Sequence, residues 1–252
     1  MKIKVFQKGF NYSQDGEGNR LVYHLQGCNM WCPWCANPEG IAKDGTVIEH
    51  TKGSRLSYTD YTVEELVKES QRSRLLFFDG GGVTLSGGEA TLQFEAVSTL
   101  LDQLKKDGIH TVIETNGSHP RLDQLFPFID QLIMDFKHYD NEVHQQILGI
   151  ENKIIKDNIK KAMREHPKLL IRIPIIRGFN DSEENINGFI SFFKPYVTSH
   201  TRFEFLPYHE YGKAKWEQCG MVYKMKDAYV DEVTINLYET LFKKNNLFVM
   251  HT

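Results

Sequence analysis

The chain has 252 residues, 40% hydrophobic and 25% charged, with a formal net charge of −3. This is an ordinary globular composition with length enough for a buried core, and the charge gives no ground for bulk attachment to nucleic acid or anionic lipid. No stretch approaches the ~18 apolar residues of a membrane span. The opening MKIKVFQKGF has no long apolar run, so the expectation is a cytoplasmic protein without a signal peptide.

Along the chain, six short apolar runs alternate with amphipathic segments. The runs are Leu21–Leu25, Val83–Leu85, Thr111–Ile113, Gln131–Met134, Leu169–Ile176 and Phe203–Leu206. Each is rich in β-branched or aromatic residues and bounded by turn residues, as buried strands are. Between them, Thr62-Val63-Glu64-Glu65 reads as a capping box opening a helix. Helical stripes follow over Phe94–Lys106, Ile154–Arg164 and Glu183–Phe193, with a last helix over Val230–Lys244 and an apolar tail, Leu247–Met250. Alternating strands and helices predict an α/β fold, a parallel sheet with helices outside it.

Polar residues recur just after the apolar runs: Ser86-Gly87-Gly88-Glu89, Glu114-Thr115-Asn116-Gly117, Asp135-Phe136-Lys137 and Pro207-Tyr208-His209. Strand C-termini of such folds share one face, and that face carries the site. One such segment is only a loop start; four together predict a site at a barrel mouth.

Three of the four cysteines, Cys28, Cys32 and Cys35, lie within eight residues, directly after the first of these runs; Cys219 is far away. Soft thiolates suit iron–sulfur clusters, zinc or copper(I). A structural zinc normally takes four ligands, so a zinc site here needs a fourth, such as His24 or His50. A 4Fe–4S cube on three thiolates leaves one iron open to a substrate. Cys219 reads as a packing residue, and His138, His144 and His166 carry no pairing signal. The Lys105-Lys106, Lys160-Lys161 and Lys243-Lys244 pairs read as solvated helix faces.

The spacing CxxxCxxC, with Trp34 before its last cysteine, resembles the signature of the radical S-adenosylmethionine superfamily. Asp15-Gly16-Glu17-Gly18-Asn19-Arg20, the segment Gly80–Ala90, Glu114-Thr115-Asn116-Gly117, Asp135-Phe136-Lys137, Arg172-Ile173-Pro174 and Leu206-Pro207-Tyr208-His209 with Gly212-Lys213 are similar to glycyl-radical-enzyme activating enzymes, specifically those of the pyruvate formate-lyase kind. The resemblance runs from about Asp15 to about Tyr223. It implies a radical SAM barrel, a partial (β/α)6 barrel of parallel strands, whose Cys28, Cys32 and Cys35 hold one 4Fe–4S cluster. Trp34 and Ala36 would lie by the adenine, and Gly87, Gly88 and Glu89 by the methionyl amino group. Asp135, Phe136, Lys137, Arg172 and His209 would complete the S-adenosylmethionine site, with Glu114, Thr115 and Asp135 around a monovalent cation.

The implied function is that of an oxidoreductase: it activates a partner glycyl radical enzyme by reductive cleavage of S-adenosylmethionine and hydrogen abstraction from a glycine Cα. A flavodoxin or ferredoxin would donate the electron. The alternatives are a radical SAM enzyme acting on a small molecule, or a zinc-stabilised binding module. Many relatives insert a ferredoxin-like module with further cysteines. Residues 36–80 contain none, so a single radical SAM domain over 1–252 with one cluster is expected.

Overall fold

The computed structural model describes residues 1–50 and 53–252, His50 by its backbone alone. In chain order the elements are β1 (Lys2–Tyr12), β2 (Asn19–Leu25), β3 (Val47–His50), β4 (Gly53–Leu56), β5 (Thr59–Thr62), α1 (Val63–Arg72), β6 (Gly82–Gly87), α2 (Phe94–Lys106), β7 (Thr111–Thr115), β8 (Gln131–Asp135), α3 (Asn141–Leu148), α4 (Lys153–Glu165), β9 (Leu169–Ile175), α5 (Glu183–Phe193), β10 (Thr201–Pro207), α6 (Lys213–Gln218) and α7 (Glu232–Lys244). The main sheet runs β10-β9-β8-β7-β6-β2-β1-β5. From β2 to β10 every pairing is parallel. These are the six strands that the apolar runs predict. The sheet keeps two free ends, so it is a partial barrel.

Two antiparallel strands extend the β2 edge: β1 pairs with β2, and β5 with β1. The search for continuous apolar runs missed β1 because only one of its faces is buried. Ile3 and Val5 enter the core, whereas Lys2 and most of Gln7–Tyr12 stay exposed or half-exposed, the alternation of an edge-type antiparallel strand. β3 and β4 form a separate hairpin.

The helices cover the outer face. Thr62 and Glu65 close the expected capping box on α1, satisfying two backbone donors that the first turn leaves free. α2 buries Phe94, Val97, Leu100, Leu101 and Leu104, an i, i+3, i+4 stripe. α7 seats Phe242 edge-on against Phe203 and Phe205 of β10, with ring centroids 5.2 and 4.8 Å away. Each fully buried ring of this kind contributes about 1.5–3 kcal/mol through removal of apolar surface from water.

The strand period of two sorts the remaining side chains. Val83, Leu85, Ile113, Leu132, Met134 and Ile171 join the main core under the helices. Their alternates point into the barrel. Val112, Ile133 and Leu170 form a small apolar cluster there, capped by Met250. Two residues further along the same strands come Glu114, Asp135 and Arg172.

The barrel interior below the mouth is filled from two directions. Residues 248–252 run along the β10 edge: Phe203 N–H donates to Phe248 O at 2.9 Å, Met250 N–H to Phe203 O at 2.8 Å, and Thr252 N–H to Glu204 Oε1 at 2.7 Å. From the other side the β1–β2 turn enters, with Thr84 Oγ1 donating to Asp15 O at 2.7 Å. Arg20 is fully buried there, donating to Thr84 Oγ1 at 2.7 Å and to the carbonyls of Val83, Glu17, Gly80 and His110. Burial lowers its pKa to about 10.

Candidate functional site at the barrel mouth

A cavity of about 220 Å³ opens where the parallel strands end. The loop after β2 supplies Cys28, Cys32, Trp34, Cys35 and Ala36; β6 supplies Ser86 and Gly87, followed by Gly88; β7 supplies Glu114 and Thr115; Asp135 and Lys137 come from the end of β8, and His209 follows β10. Thus twelve of the fifteen residues named as site candidates line one cavity, although they come from five separate stretches of chain. Glu89, Phe136 and Arg172 do not.

The cysteine loop is pinned by its own backbone and by its neighbours. Gly27 N–H donates to Gly40 O at 2.8 Å, Cys28 N–H to Ile41 O at 2.9 Å, and Trp31 N–H to Leu148 O at 3.1 Å. Asn29 donates to Ser118 Oγ at 2.8 Å and accepts from Asn116 Nδ2 at 3.0 Å, which ties the loop to the end of β7. The Gly87-Gly88 pair lets β6 end against this loop. A Cβ on Gly88 would lie 2.3 Å from Gly27 O and 2.6 Å from Gly40 O, and Gly87 has φ +126°, so side chains are excluded at both positions. Two backbone amides therefore stand close to the cavity.

Burial pushes the Cys28, Cys32 and Cys35 thiols up to about 12, so uptake of a thiophilic metal group must displace their protons. Burial alone would lower the Lys137 ammonium, but Asp135, 2.8 Å away, and Cys32 hold it above the usual lysine range. Burial lowers the His209 imidazole, which stacks on Tyr211 at 4.1 Å. Trp34 leans on Phe179, with ring centroids 4.8 Å apart.

The three candidates outside the lining are engaged elsewhere. Glu89 is 1% exposed. Its carboxylate accepts from Asn116 N at 2.6 Å, Thr115 Oγ1 at 2.7 Å, Thr91 N at 2.9 Å and Thr91 Oγ1. The side chain thus braces the turn after β7 and does not face the cavity. Phe136 is a core ring, packed on Phe189, Phe192 and Phe193 at 5.1–5.7 Å; the inward-outward alternation of β8 turns it away while Asp135 and Lys137 face in. Arg172 is clamped between two carboxylates, Glu114 Oε1 at 2.6 Å and Glu204 Oε2 at 2.8 Å, and also donates to Gln14 O and Thr252 Oγ1. Burial pushes Glu114 up, to about 7, against the pull of Arg172, while Ser86 donates to its other oxygen at 2.6 Å.

The donor set fits an iron–sulfur cluster better than a single ion. A structural zinc takes four ligands, whereas the cavity is lined by three thiols, Cys28, Cys32 and Cys35. Three soft thiolates suit an iron–sulfur cube that keeps one iron open. His24 is outside the lining, its ring 5.6 Å from Phe6; the His50 side chain lies outside the described residues. Sequence reasoning missed α6, whose Trp216 and Lys215 hold the cysteine loop from behind. Only the Gly212-Lys213 pair at its start gave a signal.

The fold and the cavity define a class, and comparison with known proteins agrees. The family profile described as "Radical SAM superfamily" matches residues 22–190. The 4-hydroxyphenylacetate decarboxylase activating enzyme of Clostridioides difficile (strain 630) is 31% identical, over 92% of this chain and 90% of its own. The pyruvate formate-lyase 1-activating enzyme of Escherichia coli (strain K12) is 34% identical, over 84% of this chain and 82% of its own. Among solved structures, a domain of pyruvate-formate lyase-activating enzyme from Bacteroides vulgatus superposes with a TM-score of 0.56 at 27% identity, covering 68% of this chain and 98% of that domain. Streptococcus suis SuiB, 18% identical, shares the fold with a TM-score of 0.65 over 91% of this chain and 48% of its own. The chain belongs to the radical SAM superfamily, in the branch of activating enzymes for glycyl radical enzymes. Membership implies a 4Fe–4S cluster and S-adenosylmethionine. No helix of the described residues is long and apolar enough to cross a membrane.

Proposed function

We propose that the chain activates a partner glycyl radical enzyme, with Cys28, Cys32 and Cys35 holding one 4Fe–4S cluster and the rest of the mouth holding S-adenosylmethionine. When bound, the cluster and S-adenosylmethionine supply the one-electron chemistry that removes hydrogen from a glycine Cα. The observation that carries this reading is the meeting of the three thiols with the Gly87-Gly88 backbone and the Lys137 ammonium in one cavity.

The protein's own work is placement. Gly87 and Gly88 bring backbone to the methionyl amino end, since no side chain stands in the way. Lys137, held charged by Asp135, faces the carboxylate end. Trp34 and the backbone at Ala36 flank the adenine, and Asp135 and His209 the ribose side. Glu114, Thr115 and Asp135 offer oxygens to a monovalent cation. Arg172 acts at one remove by fixing Glu114, and Glu89 by fixing the turn at Thr115 and Asn116. Phe136 contributes its packing.

The chain works as one radical SAM domain over 1–252 with a single cluster. Two facts support this: residues 36–80 lack cysteine, and the match to the decarboxylase activating enzyme spans 288 aligned positions, more than this chain possesses, so that relative carries additional segments. Electrons then come from outside, from a flavodoxin or ferredoxin in the cytoplasm.

The test is anaerobic incubation of the reduced, reconstituted protein with S-adenosylmethionine and candidate partners. A glycyl doublet should appear on the partner by electron paramagnetic resonance, and deuterium on its glycine Cα should pass into 5′-deoxyadenosine. Label transfer from a small metabolite instead would replace this reading with a small-molecule radical SAM enzyme.

A further inference from the structure

The short helix α6 sends no side chain into the cavity, yet it grips the turn that carries Cys35. Trp216 Nε1 donates to the Cys35 carbonyl at 2.9 Å. Lys215 Nζ donates to Asn37 Oδ1 at 2.7 Å and pairs with Glu39 Oε1 at 2.8 Å. Gly212, at the start of the helix, lies so close that a Cβ there would sit 2.4 Å from Cys35 O and 2.8 Å from the Ala36 Cα. Cys28 has a local arrangement instead: its N–H goes to Ile41 O, and its sulfur accepts from Met30 N–H at 3.4 Å. Among the described residues, the cysteine loop meets α3 through the single Trp31–Leu148 bond, whereas α6 holds the Cys35 turn by two side chains.

We infer that α6 is a positioning strap for the third thiolate: Lys215 and Trp216 fix the Cys35–Asn37 turn, keep their donors against that turn, and so raise the reduction potential of the cluster. The inference rests on the reading that Cys35 is a cluster ligand. Its physical basis is that an N–H donated to the ligand's own carbonyl, and an ammonium bonded to the same turn, both favour the more negative, reduced state. Removing Lys215 alone would also strand Glu39, which is 8% exposed, and charge loss would then mask positioning. The double variant Lys215→Met, Glu39→Gln removes one charge of each sign and leaves net charge unchanged. Trp216→Phe removes one N–H and keeps most of the packing.

Each variant and the wild type are reconstituted without oxygen, assayed for iron and sulfide, and titrated potentiometrically. In the double variant the ratio of reduced to oxidised cluster at a fixed poise should fall about tenfold, or about 59 mV for one electron. Trp216→Phe should shift the same way by less. A variant that folds as a metal-free chain but takes up iron substoichiometrically also supports the strap. Trp216→Phe decides alone if the double variant does not fold. Wild-type potential and full iron content in the folded variants overturn the inference. A wild-type chain that takes up no 4Fe–4S cluster removes the ligand assignment itself, and that outcome is read before any variant is compared.

Discussion

At the mouth of the barrel, Lys137 pairs with Asp135, whose side chain is 40% exposed. One strand away, Arg172 sits between Glu114 and Glu204, whose side chains are 17% and 4% exposed. Arg172 projects inward from the middle of β9 and Lys137 from just beyond the end of β8, and both are nearly buried. They differ in their partners. Arg172 spends its guanidinium on two carboxylates, a carbonyl and a hydroxyl. Lys137 has three donors and, among the described residues, one side-chain bond, to Asp135. The lesson is that a charge near a cavity belongs to the ligand only if the protein leaves some of its hydrogen-bonding capacity unused.

The largest expected effect lies at the mouth. Cys28→Ala, Cys32→Ala and Cys35→Ala should each abolish S-adenosylmethionine cleavage, followed as 5′-deoxyadenosine by chromatography, whereas Cys219→Ala should retain it. Turnover by Cys32→Ala would end the cluster assignment.

Next comes the clamp. Arg172→Met leaves Glu114 and Glu204 buried without their cation, and breaking a buried pair in this way costs about 3–5 kcal/mol, to be read from denaturant unfolding of the metal-free chain. Unchanged stability with weakened ligand binding would move Arg172 back into the ligand site, where the sequence pattern puts it.

Lys137→Met should do the opposite. Asp135 stays hydrated, so the fold loses little. Loss of a charge-assisted bond of about 1.5–3 kcal/mol weakens S-adenosylmethionine binding roughly tenfold to a hundredfold, measurable by calorimetry. An unchanged dissociation constant would make the two cations alike and dissolve the comparison.

The smallest effect on the ligand is expected at Glu89. Glu89→Gln replaces an all-acceptor carboxylate with an amide whose NH2 faces donors, at a cost to stability of about 1–3 kcal/mol. The affinity for S-adenosylmethionine should change less than about threefold. A tenfold loss of affinity at unchanged melting temperature would show that Glu89 meets the methionyl ammonium after all.

Much of the barrel is legible because its signals are local. Leu169–Ile175 reads as a strand from seven consecutive residues, α2 from one apolar stripe, and the start of α1 from Thr62 and Glu65 alone. The cysteine spacing is equally local, and so is the glycine pair that must meet backbone. β1 stayed hidden because a strand buried on one face looks polar when judged by continuous apolar runs.

The sequence by itself therefore determined the six parallel strands, the helices α1, α2, α4, α5 and α7 but not α3 or α6, and the stretches of chain that reach the mouth, since periodicity and turn chemistry act within a few residues. Only the tertiary structure decided where the charged side chains of those stretches point. Glu89 turns toward Thr115 and Asn116, some 26 residues away, and Arg172 toward Glu114, 58 residues away. The same holds for α6 behind Cys35 and for residues 248–252 inside the barrel. A buried charge must find its partners wherever the fold brings them, and no local pattern carries that information.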